Sequence, residues 1–180
     1  GANSLNLSKL ARHVGVSQPA AYRHFKNKEA LKINLGIHGY SLMRRHIEST
    51  FANLEPKAST LQMMRAHAQA YVLFVLANPE LARLMFTLKE RTKHPELYAA
   101  SKSIALTLYS IVQKAQAAGH LQNGDVDQTV RVIWAAVHGF SMLLVDEQLP
   151  RVSADKEQIL IHIDEVVRVI VAGLFVGNLD

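Results

Sequence analysis

NLSKLARHVGVSQPAAYRHFKNKEAL, residues 6–31, carries the start and stop signals of three consecutive helices. Asn6 can cap a short helix through about His13, with Leu7, Leu10, Ala11 and Val14 on its apolar side, and Gly15 ends it as a C-terminal glycine does. A tight turn follows. Ser17 is a good N-cap for a second short helix, in which Pro19 falls in the first turn, where a missing amide hydrogen costs little. Asn27 caps a third.

The spacing Ala11, Gly15, Ala21 suits a helix-turn-helix, with small residues where two helices cross and a turn residue free to take positive φ. On a helix starting after Ser17, the residues Gln18, Pro19, Tyr22 and Arg23 cluster at the exposed end, while Ala21 and Phe25 turn inward. Gln suits adenine and Arg suits guanine in the major groove; Tyr22, Lys28 and the helix N-termini suit phosphates. The charge distribution agrees. Residues 1–50 hold eight Lys and Arg against Glu29 and Glu48, a net +6, whereas the rest of the chain sums to −1, which gives the overall +5. Such asymmetry favours a polyanionic partner for the first fifty residues; the alternative is a solvated basic surface.

Residues 6–31 as a block resemble the DNA-binding signature of TetR-family repressors, through Ala11, Gly15-Val16-Ser17, Tyr22, His24-Phe25, Asn27-Lys28 and Ala30-Leu31. The resemblance implies that Gln18, Pro19, Ala20, Tyr22, Arg23 and His24, on the helix opened by Ser17, face DNA. It also implies that Lys28 holds a phosphate, and that Asn6 and Ser8 touch the DNA backbone. Family members have a further helix before this block, and only five residues precede Asn6, so the first helix of the head is expected to be missing from this chain. Residues 1–27 are then a partial helix-turn-helix domain, 28–53 a connecting helix, and 54–180 a ligand-binding and dimerisation domain.

Beyond the head, helix signals continue and no run of alternating β-branched residues appears, so the fold is expected to be all-α. From Lys28 the pattern runs unbroken to about Asn53, before Pro56. Helices are expected over about Thr60–Ala77, from Pro79 behind an Asn78 cap, over Pro95–Ala118 closed by Gly119, and over about Asp127–Glu147 and Ala154–Gly177. This order resembles a TetR regulatory domain. In the last helix Asp164, Glu165 and Arg168, with Ile161, mark one narrow face, and the other faces are apolar. So much apolar surface suggests packing on a second copy as well as on the chain's own core. The candidates are Ile159, Ile163, Val166, Val167, Ile170 and Leu174, with Ala135, Ala136 and Gly139 on the preceding helix permitting close approach. Family resemblance implies a two-fold four-helix interface built from these two helices.

Trp134-Ala-Ala-Val-His138-Gly139 resembles a Trp-x-x-x-His-Gly pattern in one group of TetR regulatory domains. Trp134 and His138 share a helical face, and they either wall an effector pocket or form an aromatic–imidazole packing pair. Met64, His67, Tyr71 and Phe74 make a second stripe, and Met85 and Phe86 add bulk; core packing is the commoner explanation, a lining for an apolar or aromatic ligand the functional one.

The sequence has no cysteine, which excludes disulfides and thiolate chemistry. It shows no His-Glu-x-x-His, no phosphate-cradling glycine loop and no Gly-x-Ser-x-Gly, so neither an enzyme, a metal site nor a cofactor is expected. The apolar stretch from Val166 to Val176 is interrupted by Arg168 and is too short to span a bilayer, which leaves the cytoplasm as the expected location. The expected function is that of a transcriptional regulator, in the family's commoner habit a repressor. It would bind a palindromic operator as a homodimer with half-sites roughly 34–36 Å apart or a related spacing, and a small, mostly apolar or aromatic effector would release or modulate it. The alternative is a helical ligand-binding dimer without DNA-binding activity.

Overall fold

The computed structural model describes residues 6–89, 91–149 and 155–175, with side chains through residue 173. Among them are eight α-helices, α1 Leu7–His13, α2 Gln18–His24, α3 Lys28–Ala52, α4 Thr60–Ala77, α5 Pro79–Thr87, α6 Pro95–Ala117, α7 Val126–Val145 and α8 Lys156–Phe175, with a short 3-10 helix at Arg91–Lys93. The all-α expectation holds. Local side chains set most of the helix starts. Asn6 Oδ1 accepts from the Lys9 amide at 3.1 Å, Ser17 Oγ from the Ala20 amide at 3.3 Å, and Asn27 Oδ1 from the Ala30 amide at 2.8 Å. Ser59 and Gln62 form a reciprocal capping box ahead of α4, and Asp125 accepts from the amides of Asp127 and Gln128 ahead of α7. Asn78 takes the N-cap position of α5 but makes no side-chain cap hydrogen bond, so Pro79 and position alone mark that start. The expected ends of the last helix, Ala154 and Gly177, lie outside the described residues.

By packing, the chain divides into two compact units, residues 1–42 with 78–101, and residues 43–77 with 102–180. This division by contact differs from a division by role. In the first unit, Leu7 and Ala11 are buried on α1, but Val14, expected on the same apolar side, is 60% exposed. It sits at the C-cap, where the chain has already left helical geometry. Elsewhere in this unit α3 presents Gly36 and Gly39 to a close approach. A Cβ at Gly39 would lie 2.5 Å from Met85 Sδ, and one at Gly36 would lie 2.5 Å from Leu88 Cδ1. Beside them Tyr40 is fully buried; its hydroxyl donates to the Met85 carbonyl at 3.0 Å and accepts from Arg91 Nη1 at 2.9 Å. Burial raises the Tyr40 pKa, and the Arg91 guanidinium partly offsets this.

The second unit is a helical bundle in which α4, α7 and α8 pack on one another. Its core includes Met64, Tyr71, Val72 and Val75 of α4, Leu108, Ile111 and Val112 of α6, Val130, Ile133, Val137 and Leu144 of α7, and Ile163 and Val167 of α8. Among the described residues α7 is long and apolar enough to cross a membrane, and 28% of its most apolar window is buried. Such a helix alone does not indicate a membrane protein.

Candidate nucleic-acid interface and effector cavity

α2 has no buried residue. Gln18, Pro19, Tyr22, Arg23 and His24 are exposed, Ala20 is half-buried, and Ala21 and Phe25 are partly turned inward, which is the division that the helical period implies. Tyr22 is 47% exposed. Asn6 and Ser17 are exposed, with one side-chain oxygen each engaged in capping, while Ser8 and Lys28 are half-buried. Gly15 has φ +75°, so the turn between α1 and α2 uses the left-handed conformation that glycine adopts without strain. The basic residues Arg12, His13, Arg23 and His24 fall in the last turns of α1 and α2, where they also complement the helix dipoles.

In the second packing unit a small internal cavity of about 20 Å³ lies among α4, α6, α7 and α8. Of the candidate pocket residues, Met64, His67, Tyr71 and Trp134 line it; Ala68, Leu108, Ile133, Val137, Val167, Ile170 and Val171 complete the wall. The polar side chains in its wall are His67, Tyr71 and Trp134. The Tyr71 hydroxyl accepts from Trp134 Nε1 at 3.3 Å and lies 2.9 Å from His138 Nδ1. Trp134 and His138 stack, with ring centroids 5.5 Å apart and planes 21° from parallel, so the packing pair exists and one of its members is also cavity wall. Partial burial lowers the His138 pKa. Deeper burial pushes His67 down to about 4, so its imidazole is neutral near pH 7, and its Nδ1 has no hydrogen-bond partner. Phe74 is buried, but against His46, with ring centroids 6.3 Å apart. Met85 and Phe86 belong to the other packing unit, where Met85 meets Gly39 and Phe86 meets Tyr40 edge-on; they do not line this cavity. Their apolar character was legible in the sequence, their neighbours were not.

The outer face of α7 and α8 forms an open groove of about 540 Å³, lined by Ala135, Ala136, Gly139, Phe140, Leu143, His162, Glu165, Val166, Val169 and Ile170. A Cβ added at Gly139 would meet nothing within 4 Å. Ile159, Val166 and Ile170 are half-buried. Ile163 and Val167 need correcting as outward candidates, because they are 1% and 3% exposed and fill the chain's own core. The Leu174 side chain lies outside the described residues. Two exposed apolar side chains were missed, Leu143 and Val169, at 45% and 63% exposed, whereas Ile161, expected on the polar face, is 45% exposed as that placement requires.

The family model described as "Tetracyclin repressor-like, C-terminal domain" matches residues 64–166, and the one described as "Bacterial regulatory proteins, tetR family" matches residues 1–33. The chain belongs to the TetR family of transcriptional regulators. Its TetR-type head and helical regulatory domain recur in solved structures. A Rhodococcus sp. RHA1 protein of unknown function superposes with a TM-score of 0.74 at 29% identity, covering 96% of this chain and 84% of that one. FadR from Bacillus subtilis, solved with stearoyl-CoA, gives a TM-score of 0.74 at 19% identity over 96% of this chain and 90% of its own, a likeness of fold alone. Among curated proteins, the nucleoid occlusion factor SlmA of Vibrio vulnificus is 33% identical over 85 residues, 47% of this chain. The match spans 42% of the length of that relative.

Proposed function

We propose that this TetR-family chain is a repressor that binds a palindromic operator as a homodimer and responds to a small, mostly apolar effector. The observation that carries the reading is α2, which buries no residue and leaves Gln18, Tyr22, Arg23 and His24 exposed. Gln and Arg there have the donors and acceptors to read base edges, while Tyr22 and Lys28 suit phosphates. A homodimer is supported by the α7–α8 groove, whose apolar outer residues Leu143 and Val169 are left exposed among the described residues, and whose small residues permit close helix approach. An effector is supported by a cavity of about 290 Å³ beside α4, lined by Thr60, Leu61, Met64, Ala115, His120 and Val171 among others, and, at the level of fold, by a structural neighbour solved with an acyl thioester. α3, a single helix of 25 residues following directly on the head, is the element through which an effector would act.

The decisive experiment titrates the chain onto a palindromic fragment from its own genomic neighbourhood at two salt concentrations. Saturable binding by a dimer that weakens steeply with salt is expected. A folded dimer that retains no DNA would leave the alternative, a ligand-binding dimer without DNA-binding activity.

A further inference from the structure

Resting on the effector-binding part of that proposal, we infer that the effector is an uncharged, ring-sized molecule bearing a hydroxyl. Its seat is the cavity beside the start of α4, not the core around Trp134. Size decides between the two places. The cavity among α4, α6, α7 and α8 measures about 20 Å³, which is room for one water and for no organic molecule. The other, formed where α4 begins and α6 ends, against α8, measures about 290 Å³. An apolar cavity of roughly 150 Å³ takes a benzene ring, so about twice that volume takes a ring with its substituents. Of the candidates expected to line a pocket, only Met64 belongs to this larger space.

The walls set the charge of the occupant. Leu61, Met64, Ala115, Leu121 and Val171 make them almost wholly apolar, and among the described lining residues none is Asp, Glu, Lys or Arg. A charged group drawn into this space would leave water without gaining a partner. The start of α4 does not supply one, because its capping box already engages it. The Gln62 amide donates to Ser59 Oγ at 3.2 Å and the Ser59 amide to Gln62 Oε1 at 2.7 Å. One polar pair remains in the wall: Thr60 Oγ1 and His120 Nδ1 lie 2.9 Å apart, and both residues line the cavity. If the threonine hydroxyl donates, the neutral imidazole keeps its hydrogen on Nε2 and the Thr60 oxygen keeps a lone pair. If Nδ1–H donates, the hydroxyl hydrogen is spare and Nε2 accepts. In either arrangement the pair has a donor and an acceptor left over, and a ligand hydroxyl can use both. The opposite wall couples the site to assembly. Val171 is the neighbour on α8 of Ile170, which lines the α7–α8 groove, so an occupied cavity bears on the helix proposed to meet a second copy.

Menthol, p-menthane and p-menthane-3-carboxylic acid share one ring skeleton and present a hydroxyl, no polar group and a carboxylate. Each is titrated calorimetrically onto the full chain at pH 8, below its solubility limit, with retention of a palindromic fragment measured in the same samples. Menthol is expected to bind saturably and to change the retention of DNA. It should bind about fivefold more tightly than p-menthane, the factor that one hydrogen bond between neutral groups supports, and roughly tenfold or more above the carboxylate. Thr60→Val, which keeps the shape and removes the hydroxyl, should bring menthol down to the affinity of p-menthane and leave p-menthane unchanged. Val171→Phe, from a half-buried position, should fill the cavity and abolish binding of both, with circular dichroism verifying the fold of the two variants. A wild-type chain that ignores menthol, a carboxylate bound as tightly as menthol, a menthol preference that survives Thr60→Val, or undiminished binding by Val171→Phe would overturn the assignment while leaving DNA binding untouched. Menthol bound without any change in DNA retention would overturn the cavity as the effector's seat. Conversely, the expected order of affinities in a chain that retains no DNA at all would sink the regulator reading and leave the ligand site standing.

Discussion

His67 and Tyr40 are both buried polar side chains, but one lacks what the other has. Tyr40 satisfies its hydroxyl twice, on the Met85 carbonyl and on Arg91, so removing it strands two partners. Tyr40→Phe should therefore cost about 1–3 kcal/mol, read as a lower urea midpoint with an unchanged slope. His67 has no such compensation at Nδ1, and burial holds its folded pKa at about 4, against 6.5 in the unfolded chain. Below 6.5 the unfolded state takes up the proton first, so its gain in free energy grows as the pH falls towards 4. His67 thus makes the fold lose stability across that window, by roughly 3 kcal/mol in all, and has no such effect above it. His67→Leu should flatten the pH dependence of the melting temperature between 6.5 and 4, and an unchanged acid limb would show that the imidazole is not the group responsible.

Helices are where the sequence was most readable, because a cap is a bond between near neighbours. Asn6 to Lys9, Ser17 to Ala20 and Asn27 to Ala30 all span three residues, so the residues that make each start stand side by side in the chain. The inward face of α8 was harder. Ile161, Ile163, Val167 and Val169 are equally apolar, and only the rotation of α8 against α4 and α7 decides that the middle two are buried and the outer two exposed. Met85 and Phe86 show the same limit, since bulk and apolarity do not name the element they will meet. The seat of α5 on α3 makes a sharp test. Ala at position 39 would gain helix propensity of about 1 kcal/mol, but its Cβ would press on Sδ and Cγ of a Met85 that is itself fully buried. Overpacking of about 1–3 kcal/mol should win, so Gly39→Ala is expected to lower the melting temperature slightly. On α2, Gln18→Ala should relax base preference at one operator position, whereas Tyr22→Ala should weaken binding to specific and random DNA alike. Equal losses on both DNAs for Gln18→Ala would remove its base-reading role.

At the scale of the whole molecule the uncovered α7–α8 face governs behaviour. A carboxylate placed at Leu143 or Val169 would have to be buried unpaired in the proposed dimer, while in a lone chain it would sit in water. Leu143→Glu and Val169→Glu should therefore yield folded monomers by light scattering and lose operator affinity, with α2 itself unaltered. A dimer that tolerates both charges would place the interface elsewhere. The helical class and the family were legible in the chain from its head; the cavity was legible only in part, because Leu108, Ile133 and Val137 become its wall through helices distant in sequence.

α7 is apolar enough to pass for a membrane span, yet only 28% of its most apolar window is buried within one chain. A protomer fresh from synthesis would carry that surface in water until it met another, so the persistence of the folded chain would be tied by mass action to its abundance. Its melting temperature should climb with protein concentration. At low abundance an unmatched chain would be the form that aggregates or meets a protease first, which would set a floor below which the regulator cannot accumulate quietly.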